Sequence, residues 1–337
     1  MAKPKVLVEM HPTCALHEPG SGHPERPARL EAVKKGLELA YQSEYAEAVV
    51  PRPAGRPELL RVHHPDIVDA LEAYCHAGGG MIDMDTGASA MSWDAALVAA
   101  GGGLDAIERL RAGQAEAAFV AVRPPGHHAT PERAMGFCLL NNVAIAAASL
   151  AADGERVLIV DFDAHHGNGT QDAFFADGRV AYLSLHEWPL YPGTGRITDR
   201  GQGDGFGTTV NLPLPAGATG DVYLAAMDEV VMPFAERFDP TWLIMSAGFD
   251  GHRADPLTDL GLSSGDFGEI TSRLCPLVPI GRRIMVLEGG YDLQALTDST
   301  EACVAALAGE RVRPESLTGG GPGREVVDKV HRLNASQ

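Results

Sequence analysis

Apolar runs rich in Val, Ile, Leu and Phe recur along the chain, at 5–9, 117–122, 157–162, 180–185, 207–212, 241–247 and 284–288. Two of them, Phe119-Val120-Ala121-Val122 and Trp242-Leu243-Ile244-Met245, are continuous rather than alternating. Continuous runs are the pattern of parallel strands covered on both faces. Between the runs lie alanine-rich or amphipathic segments with helical spacing, at 27–40, 65–76, 89–112, 140–152, 219–237, 264–274 and 292–308. Pro24 and Pro27 stand where the first of these begins, and Thr219 and Ser264 occupy N-cap positions. Alternating β and α elements predict an α/β fold built on a doubly wound parallel sheet. No internal repeat or linker interrupts the pattern. Gly78-Gly79-Gly80 and Gly101-Gly102-Gly103 read as short breakers inside one domain, and 193–207 as a long surface loop. The glycine-rich stretch Thr318–Arg324 predicts a mobile connection to a last helix.

Composition narrows the class. The 337 residues are 45% hydrophobic and 21% charged, as in ordinary globular proteins. The formal net charge of −18 disfavours nucleic acid as a partner and favours cationic ligands such as polyamines or lysine-rich segments. Five cysteines without a Cys-x-x-Cys pair argue against a disulfide framework or thiolate metal site, and fit a reducing cytoplasm. No apolar stretch of about 18 residues predicts a membrane span.

Five of the apolar runs end in polar clusters, and ligands of open α/β sheets bind at carboxyl ends of strands. The clusters are Arg123–His128, Asp161–His166, Ser184–His186, Ser246–Asp250 and Glu288–Tyr291. Asp163, His165 and Asp250 make a candidate metal set: two carboxylates neutralise a divalent cation and one imidazole completes the ligation. Zinc is the first choice, with oxygen-rich ligation leaving Fe(II), Co(II) or Mn(II) open. His127-His128 is the candidate proton-transfer pair. Asp161 can hold one imidazole and raise its pKa, and Asn168 can orient the other without adding charge. Tyr291, after Gly289-Gly290, is placed to donate a hydrogen bond to a developing oxyanion.

These residues resemble the histone deacetylase family, in particular its class II-like bacterial amidohydrolases within the arginase/deacetylase superfamily. The resemblance rests on His23-Pro-Glu-Arg-Pro27, Arg123-Pro-Pro-Gly-His-His128, Gly136-Phe-Cys-Leu-Leu-Asn-Asn142, Asp161-Phe-Asp-Ala-His-His-Gly-Asn-Gly169, Tyr191-Pro-Gly-Thr-Gly195, Ser246-Ala-Gly-Phe-Asp250 and Leu287-Glu-Gly-Gly-Tyr291. It implies a three-layer arginase/deacetylase-like fold with a central, mainly parallel eight-stranded sheet, a catalytic domain over 1–315 and a C-terminal extension over 316–337. It implies zinc-dependent hydrolysis of N-acyl amines, with Asp163, His165 and Asp250 as zinc ligands. His127, His128, Asp161, Asn168 and Tyr291 take the catalytic roles. Gly136, Phe137, Tyr191, Leu257, Gly289, Gly290 and Asp85 match substrate-binding positions, with Phe137 and Tyr191 as channel walls, Leu257 as rim and Asp85 as the grip on substrate backbone.

The resemblance further implies structural potassium, held by Asp161, Asp163 and the carbonyls of His165, Ser184 and Leu185, with a second site at Phe174, Asp177 and Val180. Arg26 matches the arginine of an internal cavity. Asn168, where class I members carry Asp, favours the class II-like type. Three rival functions follow: an acetylpolyamine amidohydrolase, a two-manganese ureohydrolase and a non-catalytic acyl-lysine binder. Against the second, Gly167 stands where the arginase pattern Asp-x-His-x-Asp has its last carboxylate. The implied partners are acylated lysine peptides or proteins, or acylated small amines; an oligomer is compatible with the sequence.

Overall fold

The structure is a computed structural model that describes residues 5–335. The outermost residues of the two expected segments, 1–4 and 336–337, lie outside that range. Among the described residues ten strands form, in chain order: β1 Val6–Glu9, β2 Ala46–Val49, β3 Gly79–Met81, β4 Gly87–Ser89, β5 Ala117–Val120, β6 Val157–Asp161, β7 Val180–Glu187, β8 Thr209–Leu214, β9 Trp242–Ala247 and β10 Arg283–Leu287. Eight of them make one sheet in the order β2-β1-β5-β10-β9-β6-β7-β8, every pair parallel. β3 and β4 form a separate antiparallel hairpin.

Alternate residues feed apolar layers on opposite faces of the large sheet, which explains the unbroken hydrophobic runs. Val6, Phe119, Leu158, Leu243 and Met285 enter one layer, and Leu7, Val120, Ile159, Ile244 and Ile284 the other. Parallel pairing needs crossovers, supplied by helices such as Ser92–Arg111, Asn142–Ala152 and Ser264–Leu274. Because all eight strands point the same way, the five polar clusters emerge along one edge. The two last strands, β9 and β10, insert between β5 and β6. That insertion brings Asp250 and Tyr291 between the histidine pair and the Asp161–His165 turn.

Local differences from expectation have simple causes. β2 reads Ala-Glu-Ala-Val at the sheet edge, half exposed, too short and too polar to stand out. The expected first helix breaks at Leu37 into Ala28–Gly36 and Glu38–Gln42. Ser263, not Ser264, caps the helix Ser264–Leu274, because Asp266 answers its backbone and completes a capping box. Thr219 flanks the helix Gly220–Ala226, but its hydroxyl donates to Asp221 rather than capping. That helix passes through a π turn, Met227–Val231, before Met232–Phe238; Pro233 has no N–H to continue the ladder.

The glycine-rich stretch before the last helix is tied down rather than loose. Gly321 N–H donates to Thr219 Oγ1 at 2.8 Å, Gly320 N–H to Asp221 Oδ2 at 2.9 Å, and Thr318 Oγ1 to Asp266 at 2.7 Å. The helix Arg324–Ala335 then packs on β8 and buries Val327 and Val330 in the core. Among the described residues no helix is long and apolar enough to cross a membrane.

Candidate active site

Asp163 and His165 follow β6 on a tight turn, and Asp250 follows β9. One ligand atom from each lies within 4.8 Å of the others, and this is the one such group among the described residues. Backbone donors aim the carboxylates: Gly289 N–H reaches Asp163 Oδ2 at 2.9 Å, and Ala164 N–H reaches Asp250 Oδ1 at 2.8 Å. His165 Nδ1 is 2.9 Å from Asp250 Oδ2 and 3.3 Å from Asp163 Oδ1. Burial and the neighbouring Asp163 push Asp250 up to about 7. Burial opposes charge on His165, but its bonds to Asp163 and Asp250 outweigh that and lift it to about 10. Two buried acids and an imidazole converging on one point are a donor set that a divalent cation fits, since its charge offsets theirs.

Past β5 the chain carries His127 and His128 against different partners. His127 Nδ1 is 3.1 Å from Asp161 Oδ2, whereas His128 Nδ1 is 2.8 Å from Asn168 Oδ1. Asn168 opens the helix Asn168–Phe174. An amide oxygen facing His128 Nδ1 assigns the proton to that nitrogen and leaves Nε2 basic. Burial works against charge on His127, yet Asp163 and Asp161 raise it well above the usual imidazole range. A cation on Asp163 would weaken that pull. Burial, and then His127 and His165, hold His128 well below the usual range. Neighbouring imidazoles thus differ in protonation through their surroundings.

A cavity of about 230 Å³ opens above these groups. Phe137 and Tyr191 form its walls, Leu257 and Asp85 its rim, and Tyr291 and His128 its inner end. The Phe137 ring meets Tyr291 edge-on at 5.8 Å, and Tyr191 meets His128 edge-on at 5.1 Å. Gly136 has φ +57° and lies against the His128 ring, where a Cβ would come within 2.5 Å. That close turn lets Phe137 enter the wall. Asp85 accepts the Thr86 hydroxyl, and Thr86 Oγ1 in turn accepts Phe137 N–H at 3.1 Å, so rim and wall are tied to each other. Gly289 lines the cavity. Gly290 lies behind it, its carbonyl accepting Arg29 Nε–H at 2.7 Å.

The internal arginine is Arg29, not Arg26. Arg26 is exposed, whereas Arg29, three residues on, is fully buried with Glu25 and Arg123. Its guanidinium lies 5.0 Å from the Tyr291 ring centre. Asp255, also unforeseen, accepts Tyr291 N–H at 2.6 Å and Leu257 N–H at 3.0 Å, holding the tyrosine turn to the rim loop. A single aspartate in an Arg-Ala-Asp-Pro turn carries no periodic signal. The residues expected around potassium fall into two places. Asp161 and Ser184 are register partners across β6 and β7. Phe174, Asp177 and Val180 lie on two consecutive turns, where the Asp177 carboxylate is engaged by Arg179.

The fold and site define an α/β protein with a carboxylate–imidazole cluster at the carboxyl edge of its sheet, beneath an aromatic-walled channel. The model of the histone deacetylase domain matches residues 23–307. A protein of Archaeoglobus fulgidus named "Probable deacetylase" is 40% identical over 309 residues, covering 90% of this chain and 86% of that protein. The histone deacetylase-like amidohydrolase of Pseudomonas aeruginosa is 34% identical over 297 residues, covering 86% and 78%. The crystal structure of the HDA15 HD domain matches with a TM-score of 0.91 at 36% identity, covering 99% of this chain and 95% of that one. The chain belongs to the histone deacetylase family.

Proposed function

We propose that the chain is a zinc-dependent deacylase that hydrolyses N-acyl, principally acetyl, amides of lysine side chains or related amines. The observation that supports it most is convergence: His165 of the three-ligand cluster, His128 and Tyr291 line one channel. A cation bound by Asp163, His165 and Asp250 would supply Lewis acidity toward the acyl carbonyl and water. His128, fixed by Asn168 at Nδ1, takes a proton at Nε2 and returns it to the leaving amine. His127, held by Asp161, supplies positive charge beside the reacting centre. Burial keeps the Tyr291 phenol well above its ordinary pKa, so it stays protonated and donates to the oxyanion. Phe137 and Tyr191 shield the linker from water, and Asp85 at the mouth accepts substrate N–H groups.

The rim supports a peptide substrate: Leu257 and Tyr191 are each 37% exposed, and Met84, beside Asp85, is 98% exposed. The net charge of −18 supports the acylpolyamine alternative, so N-acetylputrescine and an acetyl-lysine peptide belong in one assay. Potassium at Asp161, Asp163, His165, Ser184 and Leu185, and a second ion at Phe174, Asp177 and Val180, belong to the same proposal. We place the reaction in a reducing, cytoplasm-like compartment, which five free and buried cysteines support. Asp163→Ala is expected to abolish turnover of an acetyl-lysine fluorogenic peptide; wild-type turnover in that variant would overturn the proposal.

A further inference from the structure

Glu288 directly follows β10 and is fully buried, yet the chemistry above gives it no part. Its carboxylate faces the histidine segment. Oε2 accepts Gly126 N–H at 2.6 Å and His127 N–H at 3.1 Å, and Oε1 accepts the Ser246 hydroxyl at 3.4 Å. The next residues touch the other working parts. Gly289 N–H holds the ligand Asp163, and Tyr291 N–H is held by Asp255. Arg29 reaches the Glu288 carbonyl at 2.5 Å and the Gly290 carbonyl at 2.7 Å. Gly126 is also confined by Asn142, since a Cβ there would lie 2.5 Å from Asn142 N.

Four consecutive residues therefore span from the histidine backbone to the phenol. β5, which delivers the histidines, and β10, which delivers Tyr291, are sheet neighbours. Their pairing ends at Val120 and Val286, so past that point the ladder no longer sets the spacing of the two segments. The Glu288 side chain ties them directly. We propose that Glu288 is a positioning residue, whose carboxylate fixes the Gly126–His127 backbone against the Gly289–Tyr291 turn so that His128 and the Tyr291 phenol address one substrate carbonyl. This rests on the deacylase reading for the roles of His128 and Tyr291. A displacement of about 1 Å between catalytic groups can cost on the order of 10²-fold in rate.

Two variants separate positioning from bulk. Glu288→Met keeps the length but offers no strong acceptor, leaving two buried N–H groups without partners. Glu288→Gln keeps one oxygen for both N–H groups and can turn its NH₂ toward Ser246. On an acetyl-lysine peptide, Glu288→Met is expected to lower kcat about 10–100-fold, with KM and bound metal per chain unchanged. Glu288→Gln is expected to keep at least about a third of wild-type kcat. Imidazole ¹⁵N shifts give a readout independent of turnover: the His127 and His128 signals should move in Glu288→Met and return close to wild type in Glu288→Gln. Wild-type kcat and shifts in Glu288→Met would overturn the proposal. So would an equal loss in both variants, or a loss carried by KM or metal content. If Glu288→Met does not fold, Glu288→Gln decides by its kcat and shifts. If the wild-type protein turns over no acyl amine, the deacylase reading fails and the ¹⁵N shifts still decide on Glu288.

Discussion

Gly167→Ala tests how tightly the Asp161–His127 pair is packed. Gly167 has φ −74° and ψ 69°, a negative φ open to any L-residue, so positive-φ strain does not require glycine there. Space does. A Cβ at 167 would lie 2.4 Å from Asp161 Oδ2, 2.5 Å from the Tyr182 hydroxyl and 3.0 Å from His127 Nδ1. Those three atoms already form one hydrogen-bonded group, with His127 Nδ1 at 3.1 Å and Tyr182 OH at 3.0 Å from Asp161 Oδ2. All three side chains are buried, so none can swing into solvent. Relieving the contact needs roughly 1 Å of movement, given ordinary carbon–oxygen contact near 3.4 Å. Overpacking costs about 1–3 kcal/mol, and losing a hydrogen bond to a charged group about 1.5–3 kcal/mol. The expected destabilisation is therefore about 2.5–6 kcal/mol, read by urea denaturation at pH 7. Displacement of His127 should lower kcat on an acetyl-lysine peptide by about 10–10²-fold. Wild-type stability and turnover together would refute the claim that Gly167 is required by the Asp161–His127 pair.

Tyr291→Phe should lower kcat about 10²–10³-fold with stability unchanged, because the ring contacts with Phe137 and Arg29 survive; steady-state kinetics and a melting curve check both halves. Arg29→Met removes a fully buried partner of Glu25 and two donors to backbone carbonyls, and should cost about 3–5 kcal/mol by urea denaturation. His63 is held neutral by burial, its pKa lowered from 6.5 to about 4. Its contribution to stability is therefore complete above pH 6.5 and is lost as pH falls toward 4, by up to about 1.4 kcal/mol per pH unit. Denaturation series between pH 6.5 and 5 should show a shallower slope in His63→Gln than in wild type, and equal slopes would contradict the assignment.

The apolar runs made the sheet legible because a parallel strand buried on both faces has no polar face to blur it. Only β2 of the large sheet was missed, since four half-exposed edge residues carry too little hydrophobic signal. Spatial order was not legible. β9 and β10 come late in the chain but lie in the middle of the sheet, and strand patterns do not record which neighbours a strand takes. The residues at strand ends were visible as types that buried strands seldom end in, and they do gather along one edge. The supporting residues were harder to see. The resemblance points to Arg26, whereas Arg29, three residues on, is the buried one, and only packing decides which of the two turns inward. Asp255 and Glu288 act through backbone N–H groups, contacts that leave no trace in spacing.

The most direct measurement is a zinc titration of protein stripped of metal, following acetate release from an acetyl-lysine peptide. Turnover should be absent at the start, rise in proportion to zinc, and level off at one equivalent per chain. Full turnover in the metal-free protein, or a rise that continues to two equivalents, would contradict a single catalytic cation held by Asp163, His165 and Asp250.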